Sequence, residues 1–471
     1  MEKDVLPEEN LKKLSNQYDG KLLLEKEISI PTPQFKSLLN RKYFKEIPSI
    51  THSKWQIRCL RCNNQTPYLF AKYPCLVCEI EHFYCRNCIK MGRVSSCEPL
   101  YEWSGPSFVY PKHKNPCSWG GELTSYQQAA ANDIITAIEI GKKEHLIWAV
   151  CGSGKTEMLF PGITRALQLG KRICLATPRS DVVRELLPRL REAFHGILIE
   201  GLYGASEEKE GKAQIIVATT HQLLRYKEAF EVIVIDELDA FPYHADQSLP
   251  FATKRSLTKK GTMIYLTATP RKAEQRKIKR KKLPHTFVPI RYHKHPLPLP
   301  KFKTILQLSK QLYEKQNLKF LLSWFKKRQN KDRQVLIFVA TIDLADRLID
   351  ILSKLLLEEK IIKNKTEITS VHSKDSDRAE KVMGFREEKL KVLLTTTILE
   401  RGVTFPSVDV LVLDAGHLVF DEAALVQIAG RAGRSAEDPD GEVVFFHDGK
   451  TKAMVEAKKM MESMNRRAGF I

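Results

Sequence analysis

Ala149-Val-Cys-Gly-Ser-Gly-Lys-Thr156 closes a short β-rich apolar run, His145 to Cys151, and opens a helix-like pattern. A glycine-rich turn between strand and helix can surround phosphate oxygens with backbone N–H groups, and the helix N-terminus adds positive potential there. Gly152, Ser153 and Gly154 supply the cradle, Lys155 reaches the β and γ phosphates, and Thr156 offers its hydroxyl to Mg²⁺. Ala149 stands where the general phosphate-loop pattern begins with glycine. Such a loop belongs to an open α/β sheet, so further strand and helix alternation is expected on either side of it.

The alternation is present. Arg172 to Thr177, Gln214 to Thr219, Val232 to Ile235 and Met263 to Leu266 are β-rich apolar runs separated by helix-like segments. This pattern predicts βαβ units and a parallel sheet covered on both faces. Asp236-Glu-Leu-Asp239 follows Val232 to Ile235, which puts Asp236 at the carboxyl end of a buried strand, where a Mg²⁺ ligand belongs. Glu237 is the candidate to orient and polarise the attacking water, because phosphoryl transfer depends chiefly on positioning and charge stabilisation.

Beyond a basic run, Arg271 to Lys282, the prolines of His295-Pro-Leu-Pro-Leu-Pro300 disfavour helix and suit a linker. Alternation then resumes with Val335 to Ala340, Thr369 to His372, Val392 to Thr395, Val408 to Leu413 and Val443 to Phe446. Leu344, Leu348, Ile351, Leu352, Leu355 and Leu356 recur at helical spacing as a core-facing stripe. In Gln427-Ile-Ala-Gly-Arg-Ala-Gly-Arg434, Gln427, Arg431 and Arg434 are four and three residues apart, so on a helix they share one face. An arginine delivered to a γ-phosphate is worth roughly 10³ to 10⁵ in rate. Taken singly, the acidic stretch reads equally well as a solvated turn and the distal stretch as a solvated basic helix. Their order behind a phosphate loop makes coincidence improbable.

The 471 residues predict roughly two to four domains at about 150 residues each. With 76 Lys and Arg against 56 Asp and Glu, the formal charge of +20 favours polyanionic partners such as nucleic acid or an anionic membrane leaflet. Met1 to Asn10 lack the basic and apolar pattern of a secretion signal, and no apolar stretch approaches the roughly 18 residues that span a bilayer, so a cytosolic protein is expected. In a reducing compartment, clustered cysteines read as metal ligands or reactive thiols rather than disulfides.

Seven of the ten cysteines lie between Cys59 and Cys97. Cys59-Leu-Arg-Cys62, Cys75-Leu-Val-Cys78 and Cys85-Arg-Asn-Cys88 are three C-x-x-C pairs, and zinc takes four ligands in a closed tetrahedral site. Any two pairs leave a third over, with Cys97 and His82. Spacing does not choose among them: Cys62 to Cys75 and Cys62 to Cys85 bracket the usual zinc separations. The middle pair encloses Leu and Val and can pack as apolar thiols. Structural zinc is the leading reading of the cluster, with an iron–sulfur cluster or buried thiols as alternatives.

From Leu123 to the C-terminus these elements resemble the superfamily 2 helicases. That likeness implies an α/β fold of two tandem RecA-like parallel-sheet lobes with ATP bound between them. Leu123-Thr-Ser-Tyr-Gln127 resembles the adenine-reading element, with Gln127 as the contact. Thr267-Ala-Thr269 resembles the motif that couples hydrolysis to lobe movement through Thr267 and Thr269. Arg179, Thr220, Thr396, Thr397 and Arg401 lie in stretches that resemble the backbone-gripping motifs.

The cysteine module ahead of that core, with Phe83-Tyr-Cys85-Arg-Asn-Cys88-Ile89, Met91-Gly-Arg-Val94, Tyr203 to Glu207 and Val371-His-Ser-Lys-Asp375, resembles the ComFA family of late competence ATPases, relatives of the primosomal helicase. That resemblance assigns the zinc to Cys59, Cys62, Cys85 and Cys88, with Cys75 and Cys78 as the alternative pair. It implies ATP, Mg²⁺ and Zn²⁺ as cofactors and an ATP-driven translocase on single-stranded DNA during natural transformation. The expected position is cytoplasmic and peripheral at the inner face of the cell membrane. A membrane DNA channel, other competence proteins and a homo-oligomer are the implied partners. The expected division is an N-terminal segment 1–58, a zinc module 59–120, a first lobe 121–297 and a second lobe 298–471. A primosomal-type or RNA helicase, and a zinc-containing DNA-binding adaptor without motor activity, are the alternatives.

Overall fold

In a computed structural model the structure describes residues 7–53, 56–141, 144–204, 206–314 and 318–471. The start of the N-terminal stretch and Ala205 of the Tyr203 to Glu207 stretch lie outside these residues. The chain forms two compact units, Met1–Ile147 with Thr156–Thr286, and Trp148–Lys155 with Phe287–Ile471.

The larger sheet has seven strands in the order Ile199–Leu202, Ile215–Thr219, Ile173–Thr177, Phe230–Ile235, Leu257–Thr267, Glu144–Ala149 and His285–Val288. The pairings from Ile199–Leu202 through Leu257–Thr267 run parallel. Strands Ile173–Thr177 and Ile215–Thr219 are buried along their whole length, as expected where helices cover both faces.

The second sheet has six strands, Lys301–Thr304, Val443–His447, Val408–Val412, Gln334–Phe338, Val392–Thr395 and Ile368–Val371, all paired in parallel. Every strand expected from the apolar runs is present. Three further strands, Ile199–Leu202, His285–Val288 and Lys301–Thr304, stand at sheet edges, and the last has no fully buried residue to betray it. Of the expected leucine stripe on helix Ile342–Glu358, Leu344, Leu348, Leu352 and Leu356 are buried, and Ile351 and Leu355 pack against the same core.

Ahead of these sheets, strands from both sides of the expected boundary at residue 58 pair with one another. Leu100–Trp103 lies between Leu22–Leu23 and Phe44–Ile47 in a three-stranded antiparallel sheet. A second small sheet, Phe70–Pro74, Glu81–Cys85 and Val94–Ser95, carries most of the cysteines.

The cysteine region is joined to the larger sheet's unit by a buried ionic network. Glu27 accepts from Arg61 Nη2 with both carboxylate oxygens at 2.9 Å and from Arg225 Nε at 2.8 Å. Arg255 Nη1 donates to the carbonyls of Leu60 at 3.2 Å and Arg61 at 2.5 Å. Burial alone pushes the Glu27 carboxyl up, but the Arg61 and Arg225 guanidiniums outweigh it and hold the group below its ordinary 4.5. Its contribution is therefore present above about pH 4.5 and is lost as the pH falls through the lower folded value. Glu27→Gln leaves the fully buried Arg61 charge without its carboxylate, so the unit is expected to lose about 3 kcal/mol in urea unfolding. An unchanged midpoint and slope at neutral pH refutes this.

Candidate active site

The phosphate loop is wound as its glycines predict: Gly152 and Gly154 have φ of +77° and +68°, values that a residue with a Cβ rarely adopts. The helix that follows starts late. Thr156 precedes a single 3₁₀ turn, Glu157–Leu159, and the α-helix runs from Phe160 to Gln168, with Pro161 in its first turn where no N–H is needed. Ser153 and Thr156 are buried and Lys155 is half-buried. The turned backbone, the lysine and the buried hydroxyl suit a magnesium-bound nucleoside triphosphate.

Asp236 follows strand Phe230–Ile235, its N–H bonded to the carbonyl of Ala176 at 2.9 Å. Its Oδ1 accepts from the Glu237 N–H at 2.9 Å. Glu237 has a φ of +57°, a left-handed conformation that costs a non-glycine residue roughly 1 kcal/mol or more and that clusters at functional sites.

The last residue of the acidic stretch is the one that reaches the coupling motif. Asp239, 1% exposed, accepts from Thr267 Oγ1 at 2.5 Å and from Thr269 Oγ1 at 2.6 Å, one on each carboxylate oxygen. Arg271 caps its carbonyl at 3.0 Å and 3.2 Å. The sequence signals Asp239 only as the end of Asp-Glu-Leu-Asp; its threonine partners lie about 30 residues further on.

Gln127, the expected adenine contact, sits in the first turn of helix Ser125–Ile140, where its Oε1 accepts from Thr124 N at 2.8 Å. That capping box orients the side chain before any ligand binds.

In the second unit the arginine stretch departs from expectation. The helix runs only from Glu422 to Ala429, so Gln427 is helical whereas Arg431 and Arg434 lie in the turn that follows. Two glycines mark the turn that follows. A Cβ on Gly430 would sit 2.5 Å from Cys151 Cβ, and Gly433 has a φ of +60°. The stretch thus turns tightly against the phosphate loop instead of continuing as a helix. Cys151 Sγ donates to Gln427 Oε1 at 3.0 Å, bringing the loop and the expected γ-phosphate-facing residue into contact.

Arg431 Nε donates to the Glu400 carbonyl at 3.0 Å, and Arg434 Nη1 to Thr404 Oγ1 at 3.3 Å. Arg291, missed in the sequence because nothing marks it, binds the same turn. Its buried guanidinium donates to the carbonyls of Ala432, Gly433, Pro296 and Pro439. Burial pushes its pKa down to about 10.

The expected strand contacts are not all surface groups. Arg179 pairs with Asp181 at 2.7 Å, and Thr396 and Thr397 are partly exposed at the end of strand Val392–Thr395. Thr220 and Arg401, in contrast, are buried, and Thr220 presents neither side chain nor backbone at the surface. Arg401 Nε lies 3.3 Å from Glu400 Oε1, beside the loop that holds Arg431. The basic run forms a helix, Lys272–Lys279, with no buried residue, which fits a charged surface.

Four cysteines converge. The sulfurs of Cys59, Cys62, Cys85 and Cys88 lie within 4.8 Å of one another, each residue at most 1% exposed. Cys62 and Cys85 are 3.6 Å apart and Cys59 and Cys88 are 3.9 Å apart. A tetrahedron with bonds of about 2.3 Å has edges of about 3.8 Å, so the donor set fits zinc. The middle pair is not packed as apolar thiols, because Leu76 and Val77 are 95% and 90% exposed.

Among the described residues no helix is long and apolar enough to cross a membrane. Residues 8–102 match the Competence protein ComFA N-terminal domain, 120–272 the Type III restriction enzyme, res subunit, and 315–436 the Helicase conserved C-terminal domain. The chain is 43% identical to Competence protein ComFA of Bacillus subtilis (strain 168) over 98% of its own length and 96% of the relative's. It is 35% identical to that of Streptococcus pneumoniae (strain ATCC BAA-255 / R6), over 97% and 100%. Saccharomyces cerevisiae Dbp5 bound to RNA and ADP BeF3 shares the fold, with a TM-score of 0.53 at 22% identity, over 74% of this chain and 88% of that one. Identity of this extent, over a phosphate-loop lobe, a helicase C-terminal lobe and a buried cysteine cluster, shows that the chain belongs to the ComFA family of competence proteins and is a superfamily 2 helicase-type ATPase.

Proposed function

We propose that the protein is an ATP-driven translocase that moves along single-stranded DNA and draws transforming DNA into the cytoplasm. The observation that carries this reading is a complete hydrolytic set, Lys155, Asp236, Glu237 and Arg434, in a chain similar from end to end to competence proteins. A binding adaptor without turnover has no need of all four.

In this reading Lys155 and the N–H groups of Gly152 to Thr156 hold the β and γ phosphates, and Gln127 reads the adenine. Thr156 and Asp236 would hold Mg²⁺, which would supply positive charge to the phosphate oxygens. Glu237 orients the attacking water and takes its proton, while Gln427, Arg431 and Arg434 stabilise the charge that develops on the γ-phosphoryl group. Thr267 and Thr269, tied to Asp239, pass the change at the acidic stretch to the lobe that carries them. Arg179, Thr396 and Thr397 grip the strand, with Thr220 and Arg401 as buried supports. Such contacts reach phosphates and carry little base information. Cys59, Cys62, Cys85 and Cys88 would hold zinc, which would tie the N-terminal region together. The protein acts at the inner face of the membrane beside a DNA channel and other competence proteins.

ATP hydrolysis measured with single-stranded DNA, duplex DNA and RNA tests this directly. Single-stranded DNA is expected to give the largest stimulation. Equal stimulation by RNA favours an RNA helicase, and nucleotide binding without turnover on any nucleic acid favours the adaptor.

A further inference from the structure

The cysteines outside the buried cluster are also gathered. The sulfurs of Cys75, Cys78 and Cys97 lie within 4.8 Å of one another, with Cys75 to Cys97 at 3.5 Å and Cys78 to Cys97 at 3.7 Å. These separations are close to the roughly 3.8 Å edge of a tetrahedral zinc thiolate site. The nearest further donor is His82, whose Nε2 is 3.0 Å from Cys78 Sγ, although only the three sulfurs are all within 4.8 Å of one another. The other ring nitrogen, Nδ1, is 3.1 Å from Ser96 Oγ, which in turn accepts from Phe83 N at 3.0 Å. A hydrogen bond to the far nitrogen is how metal-binding histidines are oriented, and it leaves the Nε2 lone pair facing the thiols.

The backbone repeats the turn of the buried cluster. In Cys59 to Cys62, Cys59 N donates to Asn64 O at 3.0 Å, Asn63 N donates to Cys59 O at 2.9 Å, and Asn63 has a φ of +60°. In Cys75 to Cys78, Cys75 N donates to Ile80 O at 3.0 Å, Glu79 N donates to Cys75 O at 3.0 Å, and Glu79 has a φ of +59°. The turn at Cys75 is not held by an apolar core, since the tip residues Leu76 and Val77 project into solvent and Ile80 is 58% exposed; what it shares with the buried turn is its hydrogen bonds and its pair of thiols.

The two clusters also lie at opposite ends of one small sheet. Phe70 pairs with Cys85 at one end and Pro74 with Glu81 at the other, next to Cys75 and His82. Cys97 follows the third strand, Val94–Ser95.

We propose that Cys75, Cys78, His82 and Cys97 form a second structural zinc site, separate from that of Cys59, Cys62, Cys85 and Cys88. The ligands are three thiolates and one neutral imidazole, so binding releases the thiol protons to solvent and involves no redox step. It pins the exposed turn to the third strand and holds Leu76, Val77 and Ile80 in a fixed apolar projection.

Metal content of the freshly purified full-length protein, by plasma mass spectrometry, tests this. About two zinc per chain are expected, falling to about one in Cys97→Ser and in His82→Gln. Cys78→Ser, at an exposed position, serves as a third variant whose folding is at little risk, and basal ATP hydrolysis is expected to persist in all three. Cobalt exchange should show two tetrahedral thiolate sites in the parent chain and one in each variant. One zinc per chain in the parent overturns the proposal, as do two zinc retained in both Cys97→Ser and Cys78→Ser. A Cys75–Cys97 disulfide found by thiol counting also overturns it. Cys88→Ser distinguishes the two sites, because loss of the buried metal leaves the count in Cys97→Ser as an independent reading.

Discussion

Glu237→Gln is expected to lower the kcat for ATP hydrolysis by about 10³-fold, equivalent to roughly 4 kcal/mol at the transition state, while nucleotide binding persists. The amide matches the carboxylate in shape, so the hydrogen bonds of the turn survive: Glu237 N to Asp236 Oδ1, and Ala240 N to the Glu237 carbonyl. What is lost is the proton acceptor. Lys155→Ala is the companion, expected to lose nucleotide affinity as well, because the lysine contributes binding charge in both ground and transition states. Steady-state hydrolysis with saturating single-stranded DNA, alongside equilibrium binding of a nonhydrolysable nucleotide, separates the two effects. Turnover in Glu237→Gln within threefold of the parent chain sinks the assignment of Glu237 as the base.

Loss of the zinc proposed at the buried cluster is the second large effect. Cys88→Ser or Cys59→Ser is expected to remove about one zinc per chain and several kcal/mol of stability from the N-terminal region, since binding energy at a structural zinc is folding energy. The damage has a route outward. Arg61, between two of the ligands, is fully buried, pairs with Glu27 and donates to the Met91 carbonyl at 3.2 Å. Its carbonyl and that of Leu60 receive Arg255. Opening the cluster therefore frees an attachment to the unit that holds the acidic stretch. Limited proteolysis should cut the variants within residues 20–103, and thermal unfolding should show an added early transition. A full zinc complement with a parental cleavage pattern in Cys88→Ser refutes the assignment.

Strand positions, the phosphate loop and the leucine stripe were legible because each is a local pattern. A buried parallel strand must be a continuous apolar run, and a helix facing a core must repeat every three to four residues. The Gly152 to Thr156 stretch carries its conformation in its own glycines. The same local rule misled at Arg431 and Arg434, where correct helical spacing lies on a chain that is not helical. Just past that helix, Cys151, nearly 280 residues away in sequence, approaches Gly430 so closely that only glycine leaves room.

Cysteine spacing left three pairs equivalent. Only the tertiary packing put Cys59 and Cys62 with Cys85 and Cys88, and Cys75 and Cys78 with Cys97 and, through Cys78, His82. Asp239 and Arg291 belong to the same class: a carboxylate meeting two hydroxyls and a guanidinium gathering carbonyls leave no periodic trace. By itself, then, the sequence determined an α/β chain with a nucleotide loop, acidic pair and arginines in helicase order, because periodicity and turn chemistry are written in neighbouring residues. Tertiary structure alone decided which distant thiols come together, where the helix before the arginines ends, and which carboxylate holds Thr267 and Thr269, because those contacts form only when the sheets bring remote segments together.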